Sequence, residues 1–133
     1  MTLFEALLVG HFVGDFLFQN DWMARSKTVN TFVCLAHVLM YTTIQWLAML
    51  FLWGEAHGSL AQPYAMQYFT ELALLIAIPH FLIDRFRLAK LWMRMGQNEF
   101  ATGALSPWSI IVIDQVLHLA CLAFVAVKWA RFW

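Results

Sequence analysis

Four apolar stretches, at about residues 2–20, 31–53, 69–87 and 107–129, dominate this chain. Each approaches the roughly 20 helical residues needed to cross about 30 Å of hydrocarbon. Inside a bilayer no water satisfies a backbone N–H or C=O, so an apolar stretch standing alone is stable there only as a helix with internal hydrogen bonds. The pattern predicts an all-α, polytopic membrane protein: a single domain over residues 1–133, folded as an antiparallel four-transmembrane-helix bundle. Composition agrees, because 62% of residues are hydrophobic and 12% charged, against roughly a quarter charged in soluble domains.

The intervening segments read as connections. Asp21 to Asn30 is short and polar, and Gly54 to Gln67 is punctuated by Gly54, Gly58 and Pro63. Lys90 to Ser106 is basic and then glycine-containing, ahead of a helix start at Ser106-Pro107. The first apolar stretch has no Lys or Arg before Arg25 and carries His11 and Asp15, so it reads as a retained helix rather than a signal peptide. Arg25, Lys27, Arg85, Arg87, Lys90 and Arg94 fall on one side of the bundle, and Lys128 and Arg131 on the other. Cytoplasmic loops retain positive charge, so both termini are expected outside.

Ionisable residues inside these segments are the informative departure. His11 and Asp15 lie in the first helix, His37 in the second, His80 and Asp84 in the third, and Asp114 and His118 in the fourth. Burying an ionised side chain at the centre of a membrane helix costs on the order of 3 kcal/mol by insertion scales. Counted from the cytoplasmic ends of their helices at 1.5 Å per residue, all seven lie at similar depth, roughly 4 to 17 Å. Three of the pairs are spaced i, i+4, so each pair projects from one helix face, and a bundle can converge such faces in its core.

The segments hold no mid-membrane Lys or Arg, so three aspartates there must be protonated, paired with imidazolium or bound to metal. Imidazole and carboxylate together suit zinc first, with manganese or iron as alternatives, and seven donors are enough for one or two divalent ions. The metal-ligand candidates are therefore His11, Asp15, His37, His80, Asp84, Asp114 and His118, and Asp15, Asp84 and Asp114 are also the candidates for general base. An aspartate can instead orient a ligand histidine by accepting its second N–H. Gln19, Tyr41, Gln115, Lys27, Arg85 and Arg87 are the substrate-binding candidates, with helix-to-helix hydrogen bonding, membrane topology and headgroup contact as the competing readings. Cys34 and Cys121 form no C-x-x-C pattern and read as small buried hydrophobes, and His57 as a solvated loop residue. The Leu91 to Met95 segment reads as an interfacial helix.

Several classes are disfavoured. Zero formal net charge leaves no basic stripe for nucleic acid. The phosphate loop, the serine-nucleophile elbow and the dinucleotide fingerprint are all missing from the sequence.

Taken together, His11-x3-Asp15-Phe16-x2-Gln19, Asp21-Trp22-Met23-Ala24 with Lys27, His37-x3-Tyr41, His80-x2-Ile83-Asp84 and Asp114-Gln115-x2-His118 resemble a family of small phage and bacterial inner-membrane proteins, a domain of unknown function. The resemblance spans nearly the whole chain and implies a multi-pass protein of the bacterial inner membrane. The histidine and aspartate pairs are more loosely similar to those of membrane-bound metal-dependent hydrolases.

The leading expectation is a membrane-embedded metal-dependent hydrolase, with its site in the cytoplasmic half of the bundle and a lipid or other amphiphilic substrate. The alternative is a metal-ion or proton transporter or channel built on the same cluster. Two further readings are a bis-histidine haem protein and a catalytically silent phage factor that binds a host membrane protein. The expected surroundings are membrane lipids, and a chain this small suits a homo-oligomer.

Overall fold

The computed structural model describes residues 1–57, 65–96 and 106–129, and all of the regular structure in them is helical. A capping box starts α1 (Leu3–Phe12): the Glu5 N–H donates to Thr2 Oγ1 at 3.2 Å, and the Thr2 N–H donates to Glu5 Oε2 at 2.7 Å. Helix α1 continues without a break into a π-helical segment, Val13–Phe18, and the backbone becomes extended at Gln19. Asn20 then caps α2 (Asp21–Ser26), its Oδ1 accepting from the Met23 N–H at 2.8 Å. Asn30 does the same for α3 (Thr31–His57), accepting from Phe32 and Val33 at 2.9 and 3.3 Å.

Helix α4 (Ala65–Phe86) meets α5 (Leu88–Gly96) at Arg87, whose φ of 52° lies in the left-handed region. That conformation costs a non-glycine residue roughly 1–2 kcal/mol. The side chains at the bend offset it. Arg87 Nη2 donates to Thr28 Oγ1 at 2.6 Å, and Arg85 donates to the Thr28 carbonyl at 2.8 Å and to Thr31 Oγ1 at 3.1 Å. The bend is thus fastened to the connection between α2 and α3. Helix α6 (Ser106–Trp129) completes the described chain.

Three helices are long and apolar enough to cross a membrane, at Thr31–Gly54, Met66–Phe86 and Trp108–Trp129. Their outward faces carry Leu39, Leu47, Leu74, Ile78, Val116 and Phe124, whereas His37, Gln45, His80 and His118 are buried inside. This inside-out distribution is that of a protein with lipid, not water, around it. Helix α1 packs against α3 and α6, and α4 packs against the same two helices. Leu3, Leu7, Met49, Leu52, Phe69, Leu72, Leu122 and Val125 fill the end nearest the start of α1, and the ionisable groups gather at the other end.

Some elements differ from the sequence-based expectation. Helix α3 runs on to His57 and α4 begins at Ala65, so Gly54 and Gln67 are helical, while Gly58 and Pro63 lie outside the described residues. A lone glycine costs a helix only about 1 kcal/mol, and Gln67 gains a hydrogen bond to Glu71 at 2.9 Å. The Asp21–Asn30 connection contains α2, and the start of the Lys90–Ser106 connection belongs to α5. In α5, Ala89 and Met93 are buried and Lys90, Leu91, Trp92, Arg94 and Met95 exposed, as an interfacial helix requires.

The helical run from Leu3 to Phe18 approaches α3 closely because Ala6, Gly10 and Gly14 form a small-residue stripe on the contacting face. A Cβ on Gly10 would meet Gln45 Oε1 at 2.6 Å, and one on Gly14 would meet Tyr41 Cδ2 at 2.7 Å. Both side chains are fully enclosed, but Gln45 Oε1 ends a flexible stem whereas the Tyr41 ring is rigid. Gly14→Ala is therefore expected to destabilise by about 1–3 kcal/mol, the usual range for overpacking, and Gly10→Ala by less. Thermal unfolding in detergent micelles checks this, and equal tolerance of both would contradict the close approach.

Candidate metal centre

The ionisable residues converge because each helix points its own polar face inward. The π-helical segment of the first stretch carries Asp15, α3 carries His37, and α4 carries His80 and Asp84 one turn apart. His37 Nε2 lies 2.9 Å from His80 Nε2, 3.3 Å from Asp15 Oδ1 and 3.2 Å from Asp84 Oδ2. His80 Nε2 lies 3.6 Å from Asp15 Oδ1 and 3.2 Å from Asp84 Oδ2. These contacts form two triangles of donor atoms, one closed by Asp15 and one by Asp84, that share the His37–His80 edge. A triangle with edges of about 3.3 Å has its corners about 1.9 Å from its centre, close to the Zn–N and Zn–O bond lengths of about 2.0–2.1 Å. Asp15 Oδ1 and Asp84 Oδ2 are both buried without a hydrogen bond, so these lone pairs face the centre unsatisfied.

His118 stands beside this group. One donor atom each from His80, Asp84 and His118 lie within 4.8 Å of one another. Its Nδ1–H donates to the Asp114 backbone carbonyl at 2.8 Å and its Nε2 is buried without a partner, the tautomer and orientation of a ligand histidine. The Nδ1 atoms of His37 and His80 have no such acceptor.

His11 is engaged differently. Gln115 Oε1 accepts from His11 Nε2 at 2.8 Å, and Tyr41 OH meets Nδ1 at 2.9 Å. Gln45 Nε2 in turn donates to Tyr41 OH at 2.8 Å and to the Leu7 carbonyl at 3.1 Å. The result is a hydrogen-bonded ladder from α3 through α1 to α6 that occupies both ring nitrogens of His11. Tyr41 also stacks on His80, with ring centroids 3.8 Å apart.

A buried lysine supplies positive charge. Lys27 Nζ lies 2.8 Å from Asp84 Oδ1 and 3.5 Å from His37 Nε2. The short α2 and the turn after it bring this ammonium inward along its apolar stem. Asp15, Asp84 and Asp114 thus bring three carboxyl groups to the neighbourhood of this one ammonium.

The group opens onto a cavity of about 580 Å³ lined by Asp15, Asp84, Asp114, Gln19 and Gln115 among others. The Asp15 and Asp84 side chains are 4% and 1% exposed and that of Asp114 27%, so only Asp114 reaches well into the open space.

A family model described as a protein of unknown function, DUF3307, matches residues 3–132. The chain belongs to the DUF3307 family. No curated protein and no solved structure matches it.

In this DUF3307 chain the structure brings Asp15, His37, His80, Asp84 and His118 together and sets Asp114 at the cavity. It places His11 in the ladder. Of the substrate-binding candidates, Gln19, Lys27, Arg87 and Gln115 line the cavity. Tyr41 is buried behind it, and Arg85 is turned to Thr28 and Thr31. Two contributions were not legible as such in the sequence: Lys27 as an internal counter-ion, which corrects the expectation that the aspartates have no cationic side chain nearby, and Gln45 as the foot of the ladder. Only the closeness of Lys27 to the start of α3 hinted at the first.

Removing one partner from a buried ion pair leaves the other charge uncompensated, at a cost of about 3–5 kcal/mol. Lys27→Met is expected to destabilise chelator-treated protein by that order, and Lys27→Met with Asp84→Asn to recover most of the loss. Thermal scans of the double-mutant cycle measure it, and additive losses would mean that the two side chains do not interact.

Proposed function

We propose that this chain is a membrane-embedded, divalent-metal-dependent hydrolase of the bacterial inner membrane, a four-transmembrane-helix bundle in which the helical run from Leu3 to Phe18 joins the three longer helices. The observation that carries this reading is the convergence of Asp15, His37, His80 and Asp84, within 3.6 Å of one or both imidazole Nε2 atoms, at the inner end of a cavity large enough for a small molecule. In this reading those four residues hold one ion, zinc first and manganese or iron as alternatives, with His118 as a further donor. The basic residues of α2 and α5 support a cavity mouth at the cytoplasmic face with both termini outside.

Held by these residues, a divalent ion would supply Lewis acidity toward a substrate oxygen and water. The side chains do the rest. Asp114, the most open carboxylate, takes the proton from the attacking water and returns it to the leaving group. Gln19 and Gln115 offer hydrogen bonds along the cavity wall. Tyr41 and His11 hold the helices that carry the donors.

The transporter alternative needs polar groups that continue through the membrane. In the described residues the Tyr41–Gln45 ladder extends behind the cluster, and the apolar Leu3, Met49, Leu52, Leu72 and Leu122 pack at the helix ends beyond it. That arrangement favours a site with one mouth.

Elemental analysis of detergent-purified protein, with chelators avoided, tests the proposal. About one equivalent of metal per chain is expected in the wild type and in Asp114→Asn, and a loss of most of it in His80→Ala and Asp15→Asn. Metal-free wild-type protein that neither binds added zinc nor gains thermal stability from it would sink the idea.

A further inference from the structure

The cavity grades from exposed cations to buried carboxylates, and that gradient speaks to what enters it. Arg25, Arg87 and Lys90 are exposed at its lining and come from α2 and the α4–α5 junction. Lys27 lies deeper, and Asp15 and Asp84 deeper still. The walls between include Phe16, Ala24, Ala89, Ile110 and Ile111. Phe16 and Ile111 are also exposed on the outward surface, so apolar wall and lipid-facing surface adjoin.

Such a gradient does not suit a cationic or a neutral polar substrate. A cation meets three positive side chains on entry, and a neutral sugar leaves Arg87 and Lys90 without an anion, Arg25 being paired with Asp21 at 3.2 Å. Guanidinium and ammonium groups around an apolar slot match an anion with several acceptor oxygens on an apolar stem. Inside, Lys27 and the metal centre of the reading above would take the same anion's remaining oxygens.

We infer that the cavity binds a phosphoryl group, a phosphomonoester or pyrophosphate, and that the hydrolysed bond is its P–O ester or anhydride bond. This rests on the metal-hydrolase reading. Water oxygen forms the new P–O bond, the bridging P–O bond breaks, and the water proton passes through the Asp114 carboxylate to the departing oxygen. Water is the sole co-reactant. The phosphoryl group has two candidate sources, the headgroup of a membrane amphiphile or a soluble phosphate. The apolar walls that run on to Phe16 and Ile111 favour the amphiphile.

The test uses full-length, zinc-loaded protein in detergent. Binding is measured for mixed micelles containing phosphatidic acid, for phosphatidylcholine micelles and for free inorganic pyrophosphate, in the wild type and in Lys90→Gln and Arg25→Gln. Both substitutions are at exposed residues, so folding is retained if either one fails. Phosphatidic acid is expected to bind at least about tenfold more tightly than phosphatidylcholine, and each rim variant to weaken it by about three- to tenfold, as the loss of a charge-assisted contact does, with zinc content unchanged. Pyrophosphate that binds as tightly as phosphatidic acid and responds to the same variants supports the phosphoryl site and assigns it to a soluble source. Zinc-loaded protein with no preference for either phosphate over phosphatidylcholine, or with a preference untouched by both variants, overturns the phosphoryl inference while the metal reading stands. Protein that cannot be loaded with zinc overturns the metal reading itself.

Discussion

Two carboxylates almost wholly withdrawn from water at the inner end of a cavity set the terms for the rest of this molecule. Asp15 and Asp84 sit inside helices whose outer faces are apolar, and neither can be ionised there without compensation. The imidazoles of His37 and His80 crowd against them, and Lys27 is drawn in from a connection that a simple helix-to-helix link would not need. Helix α2 and its turn make sense on these terms, because they form the arm that delivers an ammonium to the centre.

Tyr41 ties this polar end to the packing of the helices. The glycine stripe of the run from Leu3 to Phe18 leaves room for its ring, its hydroxyl joins Gln45 to His11, and its face lies against His80. One side chain therefore feels both the spacing of α1 from α3 and the attitude of a donor imidazole. On the far side, Leu7, Met49, Leu72 and Leu122 form an ordinary apolar core, which keeps the charged groups at a single end.

Much of the fold was legible because its signals are local. Long apolar runs gave the positions of the helices, and His-x3-Asp and Asp-x3-His spacing placed pairs of groups on single faces. The convergence of Asp15, His37, His80, Asp84 and His118 followed from those faces turning inward. What escaped depends on geometry that no short pattern encodes. Lys27 acts through the reach of its stem from a turn, Arg87 bends the chain without a glycine, and Gln45 matters only because Tyr41 stands one turn away. The role of His11 was equally hidden, since His11-x3-Asp15 looks the same in sequence as His80-x3-Asp84, yet His11, 3.7 Å from Asp15 Oδ2, has its ring nitrogens taken by Tyr41 and Gln115.

The π-helical segment gives the first stretch a particular kind of fragility. A π turn contains one residue more than an α turn, so Val13–Phe18 holds a surplus that sets the angular position of Asp15 and Gln19 relative to Gly10 and His11. A relative one residue shorter in this segment would keep the same hydrophobicity, the same donors and the same caps, yet present them at a different angle. For this stretch length is a chemical variable: the alignment gap, more than the amino-acid exchange, is where divergence in the centre would first be written.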